Sequence, residues 1–231
     1  MRKRDFWEVL VLSIVLALIV KFTLVSVYKI PTSSMAPTLW PGDFILVSKV
    51  KYGLKLPFIA NKIELNLPQR GDVVSFEYPG KLGTTFIKRI IGLPGDHIDI
   101  RGQDIFINDI KIKLTEVNSD SIKGSWAKYP GNEYLKIYNE LLDNKTHFIV
   151  HTNENKKADS TLGPFVVPPN EYFVLGDNRE SSDDSRYWGT IPFSLIEGKV
   201  IYIWLSLDHN NRWAGNKLPS IRKARTFIQL D

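Results

Sequence analysis

Cysteine is absent from all 231 residues. That excludes disulfides, thiolate zinc sites and a cysteine nucleophile in one step. It leaves the redox compartment open, because cytosolic and exported chains can both lack Cys. Histidine is scarce, limited to His97, His147, His151 and His209. His147 and His151 are four apart, but no Glu follows His147, and residues 148–150 read as strand. The helical H-E-x-x-H zinc motif is therefore missing. No G-x-S-x-G elbow occurs either. A Ser-His-Asp triad stays open on spacing alone, since triads are defined by geometry. Internal repeats and low-complexity tracts are also lacking. Residues 177–185 (DNRESSDDS) are rich in oxygen ligands, but they lack the Gly and terminal Glu of an EF-hand loop. The plain reading is a solvated loop with Asx-type turns. No cofactor and no metal are expected.

What is present suits a folded chain. Apolar residues make up 43% and aromatics 12%, enough for a real core and against disorder. The length fits one medium domain, or one domain carrying a large insertion. Lys and Arg number 30 against 25 Asp and Glu, a net charge of +5. That excess fits an anionic lipid surface, nucleic acid or simple solubility, and decides nothing alone.

The N-terminus is more specific. Residues 1–4 (MRKR) carry three positive charges, and residues 9–20 (VLVLSIVLALIV) carry none. Lys21 interrupts, and residues 22–28 resume the apolar character. As a helix, residues 9–28 would be about 30 Å long, the thickness of a bilayer core. Lys21 can snorkel toward the outer interface, and Trp7 and Tyr28 sit where interfacial aromatics are favoured. The basic start keeps the N-terminus cytoplasmic and places the remaining ~200 residues outside. A cleavable signal peptide is disfavoured by the lack of an A-x-A-like site. A buried core helix is disfavoured by the basic flanks and the lack of a polar face.

Beyond Lys29, short β-type runs alternate with Pro and Gly. Residues 44–50 (FILVSKV), 73–78 (VVSFEY), 86–91 (FIKRII), 98–100, 105–107, 110–114, 172–175 and 200–205 read as strands. In residues 132–143, apolar residues at Leu135, Ile137, Tyr138, Leu141 and Leu142 have helical spacing, which predicts a short amphipathic helix. The expected fold is mostly β. A cytoplasmic start and transmembrane helix (together 1–28) precede an antiparallel sheet domain in two parts (29–98 and 171–231), interrupted by a smaller β-rich subdomain (99–170).

Two local features carry chemical interest. Residues 31–39 (PTSSMAPTL) cluster Thr32, Ser33 and Ser34 between two prolines, which stiffen the segment. Alone, that is an ordinary loop, and any of the three hydroxyls could matter. Lys88 lies inside the apolar run FIKRII, so either Lys88 or Arg89 must face inward. An inward lysine is costly and hints at function. Arg89 reads as a surface charge.

Taken in order, PTSSMAPTL with GDFILV (42–47), FIKRIIGLPGD (86–96) and GDNRESSDDSRYWG (176–189) resemble the motif set of bacterial type I signal (leader) peptidases. The resemblance spans about residues 8–206. It implies that Ser34, directly before Met35, is the nucleophile and Lys88 the general base. It implies that the Thr32 hydroxyl, with Ser34, forms the oxyanion hole. The family usually has Ser at that position, so Thr32 is a departure that keeps the hydroxyl and adds a methyl. It further implies that Ser182 hydrogen-bonds the base, that Asp184 and Arg186 form a supporting ion pair, and that Asp177 belongs to the same support.

The chemistry is consistent with those roles. A free lysine, with a pKa of about 10.4, is protonated at neutral pH and cannot act as a base. Burial disfavours its charge and lowers that pKa. The implied substrates are secreted preproteins cut after small residues at the −1 and −3 positions. The implied location is the bacterial plasma (inner) membrane, with the lipid bilayer as a partner. Leu39, Trp40, Trp204 and Trp213 are candidate lipid-facing residues against a reading as core. Residues 222–225 (RKAR) could touch lipid phosphates or be solvated. The oligomeric state is open.

Rival readings keep the dyad and change the substrate, as in a conjugation-type maturation protease or a self-cleaving repressor. A repressor would need an N-terminal DNA-binding helix-turn-helix where this chain has an apolar run. The endoplasmic-reticulum members of the superfamily carry His in place of Lys88. A membrane-tethered β-rich binding module has only charge and β content behind it, and no nucleic-acid partner is expected.

Overall fold

The structure, a computed structural model, describes residues 6–14, 24–54, 63–118, 135–152, 161–213 and 218–230. Residues 6–14 are helical. After them, β1 (Val25–Lys29) and β2 (Asp43–Ser48) flank a loop, and β3 (Gly53–Leu54) pairs with β4 (Ile63–Glu64). Next comes the hairpin β5 (Val73–Glu77) and β6 (Thr85–Gly92). The middle of the chain holds β7 (His97–Arg101), β8 (Asp104–Ile107), β9 (Ile110–Lys111), β10 (Lys113–Val117), β11 (Leu135–Leu142), β12 (Lys145–Thr152) and β13 (Thr161–Val166). The chain returns through β14 (Glu171–Leu175), β15 (Ile191–Pro192), the long β16 (Ile196–Trp213), β17 (Leu218–Ile221) and β18 (Ile228–Gln229).

The main sheet is antiparallel and ordered β1-β2-β16-β5-β6-β14-β15, with β17 and β18 pairing with β16. Strands far apart in sequence thus meet at its centre. β2 shows the cause plainly: Asp43, Ile45 and Val47 alternate inward, the period of a half-buried strand. Val74, Phe76, Ile90, Val174 and Ile196 form one core cluster; Met35, Leu39, Ile45, Val47 and Val200 form another. Each such buried side chain contributes about 1.5–3 kcal/mol over its exposed state. Between β6 and β14 lie two smaller sheets, β10-β11-β12 and β13-β7-β8-β9.

Four expectations are corrected. Residues 135–142 form a strand, β11, and no part of the described segment is the amphipathic helix expected over 132–143. β11 runs between β10 and β12 and is buried on both sides in places, at Ile137, Glu140 and Leu142. Its apolar residues therefore fall on both faces and imitate a helical spacing. The apolar N-terminal run cannot be helical through Tyr28, because Val25–Lys29 pairs with β2 over Val25↔Ser48 to Lys29↔Phe44. Residues 15–23 of that run lie outside the described residues. No helix among the described residues is long and apolar enough to cross a membrane. The run 110–114 is two strands, broken at Ile112, which is buried in the core shared with Leu142. Finally, Leu39 and Trp40 are core residues rather than lipid-facing ones. Arg225 is buried too: it pairs with Asp43 at 2.6 Å and lies over the Trp40 ring.

Candidate active site

The loop between β1 and β2 holds Thr32, Ser33 and Ser34. Backbone bonds close its base, from Ile30 N to Asp43 O (2.8 Å) and from Gly42 N to Ile30 O (2.9 Å). Met35, Ala36 and Leu39 are buried and anchor its middle, and turns run from Ala36 N to Ser33 O and from Leu39 N to Met35 O. Pro31 and Thr32 stay exposed. Ser34 is thus the last residue before the loop enters the core, half-buried with its hydroxyl in the cleft.

The Lys88 ammonium nitrogen donates to Ser34 Oγ at 2.9 Å. Thr32 Oγ1 lies 3.4 Å from the same oxygen. Lys88 comes from β6, opposite Val74 of β5, and is only 4% exposed. Burial lowers its pKa; Asp184, Asp183 and Asp177 raise it and Arg186 lowers it, leaving it at about 8. An amine so poised is half neutral near pH 8, where an ordinary lysine is almost wholly protonated, and its neutral form can accept a hydroxyl proton.

The third segment, residues 176–186, closes around this pair. The Asn178 backbone N–H donates to Ser34 O (3.1 Å), and its side-chain amide donates to Ser33 O (3.3 Å). Gly176 is required here: a Cβ would lie 2.3 Å from Ser182 Oγ and 2.5 Å from Ser34 O. Asp184 accepts from Gly176 N (3.0 Å) and from Arg186 Nε and Nη2 (both 2.8 Å). It also caps the one-turn helix Ser185–Trp188. Arg186 in turn donates to the Arg179 carbonyl. Ser182 packs beside Gly176, but its hydroxyl is buried without a hydrogen-bond partner and does not bond Lys88. The expected Ser182–Lys88 bond is therefore absent, and Lys88 Nζ bonds Ser34 Oγ.

Arg89 overturns its reading as a surface charge. It is as buried as Lys88, because strand alternation points the two to opposite sides of β6 and both sides are covered. Its guanidinium grips Asp177 in bidentate fashion, at 2.8 and 2.7 Å, and bonds Gly71 O and Thr38 Oγ1. Burial alone would raise the Asp177 pKa; the Arg89 charge and hydrogen bonds outweigh it and hold the carboxyl below its ordinary value. Thr38 also donates to Asp177. Sequence reasoning missed Arg89, Thr38 and Asn178. The one available signal was the acidic run 177–184, which needs buried cations if any of it turns inward.

A cleft of about 430 Å³ opens over Ser34 and Lys88. Ile30, Met35, Phe86 and Ile87 give it apolar walls, while Lys29 and Asp183 stand at its rim. Among the described residues, no group of three or more His, Asp or Glu could hold a metal ion.

Comparison with known proteins agrees with these motifs. Residues 3–205 match the family model described as signal peptidase, peptidase S26. A signal peptidase I of Buchnera aphidicola subsp. Baizongia pistaciae is 34% identical over 84% of this chain and 74% of its own. One of Pseudomonas fluorescens is 37% identical over 83% of this chain and 68% of its own. A solved signal peptidase I from Enterococcus faecalis V583 is 32% identical, covering 59% of this chain and 98% of its own, with a TM-score of 0.37. With a family match across most of its length and relatives above 30% identity, the chain belongs to the signal peptidase family, peptidase S26.

Proposed function

We propose that the chain is a membrane-anchored serine endopeptidase that removes N-terminal signal peptides from secreted preproteins by a Ser34–Lys88 dyad. The observation that carries this reading is the 2.9 Å contact between Ser34 Oγ and a buried lysine whose pKa is depressed to about 8. A serine hydroxyl is a weak nucleophile until a base takes its proton, and an ordinary lysine cannot be that base at neutral pH.

In this mechanism Lys88 takes the Ser34 proton as Oγ attacks the scissile carbonyl carbon. The tetrahedral oxyanion is met by the Ser34 backbone N–H and the Thr32 hydroxyl. The Lys88 ammonium then protonates the leaving amine, and the acyl-enzyme forms. Neutral Lys88 next takes a proton from water, whose oxygen attacks the ester carbon, and returns it to Ser34 Oγ. Asp177, Asp184, Arg186 and Ser182 act through position: the first three tie down the 176–186 segment that holds Ser34, and Ser182 fills the space beside it. The apolar walls of the cleft suit small side chains at −1 and −3.

The anchor is the apolar N-terminal run, ending before β1. In its described part, residues 6–14 are helical with Phe6, Trp7, Val9 and Leu12 exposed, as a lipid-facing helix requires. The catalytic domain then lies on the outer side of the plasma membrane, by the positive charges at the start.

The test is cleavage of a purified Sec preprotein with mass analysis of the product ends. Ser34→Ala and Lys88→Ala should each abolish cleavage while circular dichroism and melting stay native. Full activity in Ser34→Ala would remove the nucleophile assignment.

A further inference from the structure

The β10-β11-β12 sheet touches both the loop that holds Ser34 and the segment that begins at Asp177. At the loop, Ile137 of β11 and Val150 of β12 share a hydrophobic cluster with Ala36 and Trp40, and Phe148 packs against it. Ala36 follows Ser34 by two residues. At the segment, Val150 N donates to Asp177 O at 2.9 Å, and Val150 bridges Asn178 in parallel pairing. Asn178 is the residue that binds the Ser33 and Ser34 carbonyls.

Polar side chains lock the same contact. Glu140 of β11 pairs with Arg179 at 2.5 Å, with side chains only 1% and 2% exposed. His147 Nε2, opposite Glu140 in the β11–β12 register, lies 3.0 Å from that carboxylate and 4.0 Å from Asp177. His151 Nδ1 meets Glu180 at 2.7 Å. Burial opposes the Glu140 charge, but Arg179 and His147 outweigh it and hold its carboxyl well below the usual range. The Arg179 carbonyl receives Arg186, so the lock continues into the Asp184 pair. A pair buried this deeply gains little stability over apolar residues of the same shape. Its geometry, in contrast, fixes where residues 177–180 sit.

We propose that the Glu140–Arg179 pair is a positioning device: through it, the β11–β12 hairpin sets the 177–180 turn, and that turn sets Ser34 against Lys88. The inference rests on the reading of Ser34 as nucleophile. Glu140 and Arg179 are positioning residues and touch no reacting atom.

The test uses the full chain and the double variant Glu140→Leu/Arg179→Met, which replaces the buried pair by apolar groups. Three readouts are taken: thermal melting, steady-state preprotein cleavage, and amide hydrogen exchange at Val150 and Asn178. The expected result is a native melting temperature, faster exchange at both amides, and kcat lowered about tenfold or more with KM changed by less than about twofold. Glu140→Asp should recover part of the lost kcat. If the double variant folds poorly, Glu140→Gln, which keeps the shape and loses the charge, carries the same readouts. The exposed pair Lys136–Glu116, on the same small sheet, is the control, and Lys136→Ala should change none of them. Wild-type kcat and unchanged exchange in the variants would overturn the proposal. Failure of the nucleophile reading shows separately, as cleavage that survives Ser34→Ala, and the exchange data still judge the hairpin's hold on Asn178.

Discussion

The proposed dyad makes cleavage depend on neutral Lys88, and so on pH. Burial strips water from the ammonium and pulls its pKa from 10.5 to about 8, against Asp184, Asp183 and Asp177, which pull upward. With that midpoint, the neutral fraction is about 1% at pH 6 and about 90% at pH 9, so kcat/KM should rise about 90-fold between them. Asp183 is exposed at the cleft rim, and Asp183→Asn removes one of the upward pulls, so the midpoint should move to lower pH. The assay is the initial rate of preprotein cleavage at substrate well below KM, in buffers of constant ionic strength from pH 6 to 10. Stability should follow with a definite sign. Between pH about 8 and 10.5 the unfolded chain binds the Lys88 proton and the folded chain does not, so unfolding free energy rises with pH there. The gain is about 1.4 kcal/mol per pH unit, or about 3 kcal/mol across the window. Lys88→Met should remove that slope. A flat rate profile, or a midpoint near the ordinary lysine value, would refute the role of burial and with it Lys88 as base.

Three substitutions test the surroundings. Gly176→Ala places a methyl 2.3 Å from Ser182 Oγ and 2.5 Å from Ser34 O. It should cost about 1–3 kcal/mol in urea denaturation and lower cleavage, and a neutral result would mean the two loops are not held so closely. Arg89→Ala strips the buried Asp177 carboxylate of its bidentate partner. It should cost about 3–5 kcal/mol by denaturant titration, whereas a loss below about 1 kcal/mol would return Arg89 to an incidental role. Thr32→Val keeps the shape and removes the hydroxyl, so kcat should fall about 10²–10³-fold while Thr32→Ser stays active; equal rates would take Thr32 out of the oxyanion hole.

Much of the sheet was legible because its strands carry their own signal. The runs at 44–50, 73–78 and 86–91 are rich in β-branched and aromatic residues, a strand preference that needs no knowledge of the partner strand. β11 was not legible, because its pattern is written by two neighbours at once. Ile137 faces the cluster with Ala36 and Trp40, while Leu142 joins a different core with Ile98 and Ile105. Glu140 between them is buried against Arg179, 39 residues away, and His147 of β12. A polar residue at an inward position breaks the alternation, and what remains has the spacing of a helix.

The site divides the same way. That one of Lys88 and Arg89 must turn inward follows from strand alternation, but that both are buried does not. The second burial depends on Asp177, which lies 88 residues later and arrives only when β14 pairs with β6. The choice among Thr32, Ser33 and Ser34 is also made at long range. All three are hydroxyls in one short loop, and nothing local ranks them. In the fold, the backbone carbonyl of Ser33 is taken by Ala36 N and by the Asn178 side chain, and that of Ser34 by Asn178 N. These bonds orient the loop so that Ser34 Oγ, and neither neighbour, receives Lys88. Identity of residue supplies the reactive groups, and the register of a strand pair formed across the whole chain selects which of them meet.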